Sequence, residues 1–267
     1  MLVRLGNTHR AAAIATVAVL ATARCTCNSG GGPTAPVVDR SHGEIPHLRA
    51  SHVAAGTIHI DGRMDEPVWR TTGSTRALVN PGDGRAARAS RVQGEARIVW
   101  DDENLYVGAT VNDGDPSSPF RPSDEDPHLW ERSSAIEVMI QPGDPGDNRG
   151  YYEIQVDVNG AVWDTQFDDY NRPISGDGPA RRFGHQEWRS ELRQSVRVER
   201  GTRYTVEIAI PWRTLQSTRT AVPPHAGDVW RVNVYSFRDG QSDSLAWSPL
   251  LGQGNFHFAP RFGRVEF

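Results

Sequence analysis

From about residue 50 to the end of the chain, apolar and polar residues alternate in short runs separated by clusters of Asp, Gly, Pro and Asn. A period of two sends successive side chains to opposite faces of an extended backbone, so each run reads as a strand with one buried face. Ala96, Ile98 and Trp100 share one parity. After the turn residues Asp101-Asp102-Glu103-Asn104, Leu105, Val107, Ala109 and Val111 share another, which makes a hairpin. Ile136, Val138 and Ile140 oppose Glu137, Met139 and Gln141. Tyr152, Ile154, Val156 and Val158 oppose Tyr151, Glu153, Gln155 and Asp157, and Asn159-Gly160 turns the chain back toward Val162-Trp163. Tyr204 to Ile210, Trp230 to Ser236 and the terminal Arg264 to Phe267 continue the pattern. Long stretches of helical period are missing, so the expected fold class is all-β, an antiparallel β-sandwich with one or two short helical turns.

The first helical turn is expected after Asp65, which would cap it, with Glu66 and Pro67 in the opening turn and Trp69 seating it on a core. The second is Pro211-Trp212-Arg213-Thr214-Leu215. The long polar stretches 112–130 and 168–190 are expected as functional loops. A mild net charge of −4, with both signs interspersed, leaves no basic stripe for nucleic acid. The chain contains no lysine, which removes every lysine-based mechanism. Cys25 and Cys27 both precede the first strand, so the folded region holds no disulfide and no cysteine metal site.

Residues 1–23 read as an export signal, with Arg4 and Arg10 before an apolar run and Ala21-Thr22-Ala23 as its cleavage site. Residues 24–48 read as a flexible linker, and lipidation at Cys25 or Cys27 would make it a tether. Residues 49–267 are then the sandwich. The expected destination is outside the cytoplasm: extracellular, periplasmic or on an outer-membrane surface.

Catalytic patterns are weak. No Gly-x-Ser-x-Gly elbow occurs, and the histidines give no His-x-x-x-His pair. Glu137, Glu153, Asp157 and Glu207 are carboxylates on strands, and no spacing singles out an acid–base pair among them.

The ordered motifs carry more. They begin with Ile60-Asp61-Gly62, Asp65-Glu66-Pro67-Val68-Trp69 and the segment Val99 to Val107. Trp130-Glu131, Ile136-Glu137-Val138 and Gly150-Tyr151-Tyr152-Glu153 follow. Val206 to Trp212, Trp230-Arg231-Val232-Asn233, Trp247-Ser248-Pro249 and Phe256-His257 with Pro260-Arg261-Phe262-Gly263 complete the series. In this order they resemble carbohydrate-binding module family 9 over residues 55–267. The resemblance implies a jelly-roll or immunoglobulin-like sandwich, non-catalytic binding of oligo- or polysaccharide, and association with glycoside hydrolases that degrade xylan or cellulose. It also implies calcium in the fold, for which the Asp113-Gly114-Asp115, Asp144 to Asn148 and Asp168-Asp169 turns offer hard oxygens.

A pyranose shows an apolar C–H face and a fringe of hydroxyls. Flat rings meet the first, and carboxylate or amide groups meet the second. Family members sandwich the sugar between two Trp rings, with a Glu and an Arg beneath. By resemblance Trp130 is the first ring and Glu137 the carboxylate. Gln155 stands where the Arg is expected, and Phe256 and His257 stand at the second ring. The expected carbohydrate-binding set is therefore Trp130, Glu137, Gln155, Phe256 and His257, in a monomer. The alternative is a surface-anchored structural or interaction domain that kept the sandwich and lost the sugar. A more remote one is a haem-binding relative, for which Met64 and Met139 are the only internal methionines.

Overall fold

A computed structural model describes residues 38–87 and 91–267. The export signal and the two cysteines lie outside the described residues. Two sheets face each other. The first runs in the order β1 (His47–Arg49), β12 (Gly263–Glu266), β10 (Val229–Arg238), β5 (Ala135–Gln141), β6 (Arg149–Asp157) and β7 (Val162–Asp169), with β11 (Ser242–Ala246) also paired to β10. The second runs β2 (Ser51–His52), β3 (Gln93–Trp100), β4 (Asn104–Asn112), β9 (Arg203–Pro211) and β8 (Arg193–Glu199). Pairing is antiparallel except at two edges, where β1 lies parallel to β12 and β2 parallel to β3.

The alternation read from sequence decides which face is buried between the sheets. Ile98, Leu105, Val107, Val206 and Ile208 meet Ile136, Val138, Ile154, Val156, Val232 and Val234 in one cluster. Burying each such side chain stabilises the fold by about 1.5–3 kcal/mol. Strand-to-strand turns are fixed by short polar side chains. Asp101 accepts the backbone N–H of Glu103 and Asn104 at 2.8 and 2.7 Å, and its other oxygen accepts the Tyr106 hydroxyl. At Asn159-Gly160 the glycine takes φ +85°, which closes the β6–β7 turn without Cβ strain.

The outer faces are also covered. On the second sheet, Ile58, Trp69, Val99, Tyr106 and Ala209 form a cluster with Met64 packed against it. On the first, Met139, Tyr151, Phe167, Tyr235 and Phe262 form another. Met64 thus packs against the second sheet, while Met139 lies on β5 of the first.

Three local expectations are corrected. The first helical turn is α1 (Pro67–Thr71), capped at Glu66 with no side-chain cap bond, so Asp65 does not cap it. The Glu66 carboxylate instead accepts the His59 N–H at 2.8 Å. The second turn is a short 3₁₀ segment at Trp212–Thr214, with Pro211 just before it rather than inside. Finally, the sandwich begins ahead of residue 49. His47 and Leu48 are already in β1, Leu48 is in the core, and the Arg40 backbone N–H bonds the Gly84 carbonyl at 2.7 Å. The end of the expected linker is packed rather than free because β12 needs a partner for its outer edge.

Candidate functional site

Cross-strand register builds the floor of a cleft on the outer face of the first sheet. Directly paired residues of antiparallel strands point to the same face. Tyr235 on β10 pairs with Glu137 on β5, Glu137 with Gln155 on β6, and Gln155 with Trp163 on β7. The next row is Asn233, Met139, Glu153 and Thr165. All of these residues have the parity opposite to the core set, so a one-residue register slip would remove the whole floor.

Two walls rise from the floor. One is the single helical turn α2 (Leu129–Arg132), seated by fully buried Leu129 against Ala161 and Trp163. It sets Trp130 edge-to-face with Trp163, ring centres 4.9 Å apart, while His128 stacks on Trp130 at 4.5 Å. Trp130 is half-buried and sits on this turn rather than in a plain loop. The other wall is the segment from Leu250 to His257. Phe256 stacks on Tyr235 at 4.0 Å, and the Tyr235 hydroxyl bonds the Phe256 carbonyl. His257 stacks on Tyr170 at 4.3 Å, and its Nδ1 lies 2.9 Å from the Tyr151 hydroxyl. The Asn255 amide donates to the Tyr170 hydroxyl at 2.9 Å.

The resulting cleft has a volume of about 580 Å³. Trp130, Glu137, Gln155, Phe256 and His257 all line it, so the structure brings the whole expected set together. Glu153, Trp163, Phe167, Tyr170 and Asn255 line it as well and were not singled out from sequence. The signal for Glu153 was its parity with Gln155. For Tyr170 and Asn255 no local signal exists, because loops far apart in sequence bring them in.

The floor's electrostatics are set by burial. Glu137, Glu153 and Gln155 are 1%, 5% and 1% exposed. One nitrogen, Gln155 Nε2, donates to Glu137 Oε2 at 2.9 Å and to Glu153 Oε1 at 2.7 Å. Glu137 Oε1 and Gln155 Oε1 have no protein partner. Loss of solvent pushes Glu153 up to about 7, against the opposing pull of the Gln155 amide and the Trp163 indole. Desolvation, then the neighbouring Glu153 charge, hold Glu137 well above the carboxylate range. Burial pushes His257 down to about 4, so it is neutral at pH 7.

This arrangement suits recognition more than bond cleavage. Glycoside hydrolysis needs the scissile bond between two carboxyl groups. Here the Gln155 amide occupies the space between them. Glu207 is on the other sheet, where its Oε2 accepts the N–H groups of Asp61, Gly62 and Arg63.

Of the six acids considered for calcium, five face a basic side chain and Asp115 is exposed. Asp113 faces Arg238, Asp144 faces Arg231 and Arg264, Asp147 faces Arg219, Asp168 faces His185, and Asp169 faces Arg149. Among the described residues no group of three or more His, Cys, Asp or Glu side chains is placed to hold a metal. No described helix is long and apolar enough to cross a membrane.

Comparison with known proteins bears on the family and the fold. Residues 60–267 match the family described as carbohydrate family 9 binding domain-like. The chain is similar to endo-1,4-beta-xylanase A of Thermotoga maritima, 31% identical over 199 residues, and of Thermotoga neapolitana, 28% identical over 198. Each match covers 72% of this chain, which spans 15% of each xylanase's length. Among solved structures, a putative carbohydrate-binding protein from Bacteroides uniformis superposes with a TM-score of 0.62 at 17% identity, covering 84% of this chain and all of that one. A family 9 carbohydrate-binding module from Caldicellulosiruptor kristjanssonii, solved with cellotriose, gives a TM-score of 0.51 at 16% identity, covering 82% of this chain and 92% of that one. Its complex with glucose gives 0.53. At these identities the structural likeness speaks for the fold.

Proposed function

The chain belongs to the carbohydrate family 9 binding domain-like family, and from that membership we propose that it is an exported, non-catalytic module that holds carbohydrate in the cleft over β5, β6 and β7. One observation carries the reading. Two buried side-chain oxygens without protein partners, on Glu137 and Gln155, lie in a cleft whose walls carry the Trp130 and Phe256 rings. Unmatched buried acceptors are costly, and sugar hydroxyls are donors of the right kind to satisfy them.

Trp130 meets the C–H face of a pyranose, and Phe256, backed by Tyr235, meets it from the other wall. Glu137 and Gln155 accept hydroxyls from below. His257 is held between Tyr170 and Tyr151 and orients the wall rather than offering an open ring face. Such a site would bind in about the micromolar-to-millimolar range. The module would act as a monomer on oligo- or polysaccharide, alongside glycoside hydrolases that attack xylan or cellulose. It would be released after export or anchored through Cys25 or Cys27.

Titration of the full chain with cellotriose and xylotriose tests this. Wild type is expected to bind at least one of them, and Trp130→Ala to weaken that binding about tenfold or more, a loss of about 1.4 kcal/mol, with thermal stability little changed. Silence from both sugars, or equal binding by the variant, favours the structural domain that lost its ligand.

A further inference from the structure

We propose that the cleft prefers a sugar carrying a free, protonated amine, a 2-amino-2-deoxyhexose or its oligomer, over the neutral sugar of the same shape. This rests on the carbohydrate-binding reading above and narrows its ligand class.

Two carboxylates, Glu137 and Glu153, sit almost wholly buried on the cleft floor. Their link is a neutral amide, Gln155, and no arginine lines the cleft among the described residues. The family resemblance led us to expect an Arg at position 155, which would have balanced one carboxylate. With Gln there, the second carboxylate from β6 makes the floor doubly acidic when ionised.

The remaining polar neighbours supply no cation. Tyr151 on β6 and Tyr235 on β10 are buried phenols whose pKa is raised by burial, so both stay neutral. His257 Nε2 lies 3.8 Å from Glu153 Oε2, yet burial keeps that imidazole uncharged near pH 7. Buried acids without a counter-charge retain protons or take a cation. Among the described residues no set of three His, Cys, Asp or Glu side chains is placed to hold a metal that would supply that cation.

The walls fit an organic one. Trp130, Trp163, Tyr170 and Phe256 put aromatic rings around the acidic floor. Ring faces attract a desolvated ammonium, and carboxylates accept its N–H donors. Glu137 Oε1, buried and without a protein partner, is an acceptor waiting for such a donor. An N-acetylated sugar carries neither the charge nor three N–H donors, so the preference must vanish on acetylation.

Calorimetric titration of the full chain at about pH 7, with the glucosamine trimer, the N-acetylglucosamine trimer and cellotriose, decides the matter. The amine trimer is expected to bind about tenfold or more tighter than either neutral trimer. Its binding should release protons, seen as a buffer-dependent heat, because the cation favours ionised Glu153. Glu153→Gln should cut the preference to about threefold or less and reduce the proton release. Trp130→Ala should weaken all binding, which separates the cleft from diffuse attraction of a polycation. If cellotriose binds in a Trp130-dependent way and the amine trimer binds no better, this inference is overturned while the proposed function stands. If none of the three binds, this inference falls, and the proposed function then stands or falls on xylotriose.

Discussion

At the scale of single residues, the decisive fact is the sharing of one amide by two buried acids. Gln155 Nε2 touches both Glu137 and Glu153, and only one of these contacts was visible as a motif. The linkage to pH follows from direction. Glu153 is raised from its ordinary value to about 7, so its stabilising contribution is complete at low pH and is lost as pH rises toward and through 7. Glu137 is shifted in the same direction. His257 is depressed, so its contribution is present above its ordinary value and lost as pH falls through about 4. From about pH 6.5 to 7.5 the unfolded histidine loses its remaining protons, a small opposing rise that the two buried acids together outweigh. We therefore expect the melting temperature to fall between about pH 6.5 and 8 in wild type. Glu153→Gln should flatten that fall, as followed by circular dichroism across the range. A wild-type profile that rises over this window would contradict the arrangement.

Among elements, eight of the twelve described strands were readable, while the short β1, β2 and β11 and the mostly exposed β8, which lack a clear buried face, were not, and neither was the turn α2. The parity of β6 alone places Tyr152, Ile154 and Val156 in the core and Tyr151, Glu153 and Gln155 on the cleft face, because a strand has a fixed period of two. The turn α2 is four residues long, too short for a 3.6-residue period to show, and only Leu129 finding Ala161 and Trp163 fixes it. The same limit explains the misplaced cap at Asp65. The opening Ile60-Asp61-Gly62 motif is held by a distant partner, Glu207 on β9, whose carboxylate gathers three backbone N–H groups. Glu207→Ala should leave those donors unmatched and cost about 2–4 kcal/mol in denaturant unfolding. Binding in the cleft on the opposite sheet should be unchanged in the folded fraction. A loss below about 0.5 kcal/mol would show that the motif is seated some other way.

For the whole molecule, sheet packing and arginine–carboxylate pairing hold the described residues together. Asp144 bridges Arg231 and Arg264, and Arg238 meets Asp113. Because the calcium-type acids are paired in this way, adding EDTA or calcium should move the melting temperature by no more than about 1–2 °C, corresponding to a change under about 0.5 kcal/mol. A larger shift would reveal a site that these side chains do not form. Local period and ordered motifs were enough to give eight strands, the division of each into core and outer faces, and five residues of the cleft. Tertiary structure alone decided that Glu153 joins Glu137, that Tyr170 and Asn255 complete a wall, and that residues ahead of 49 belong to the sandwich. Those outcomes depend on which strands pair and which loops meet, contacts between residues far apart in the chain that no local pattern encodes.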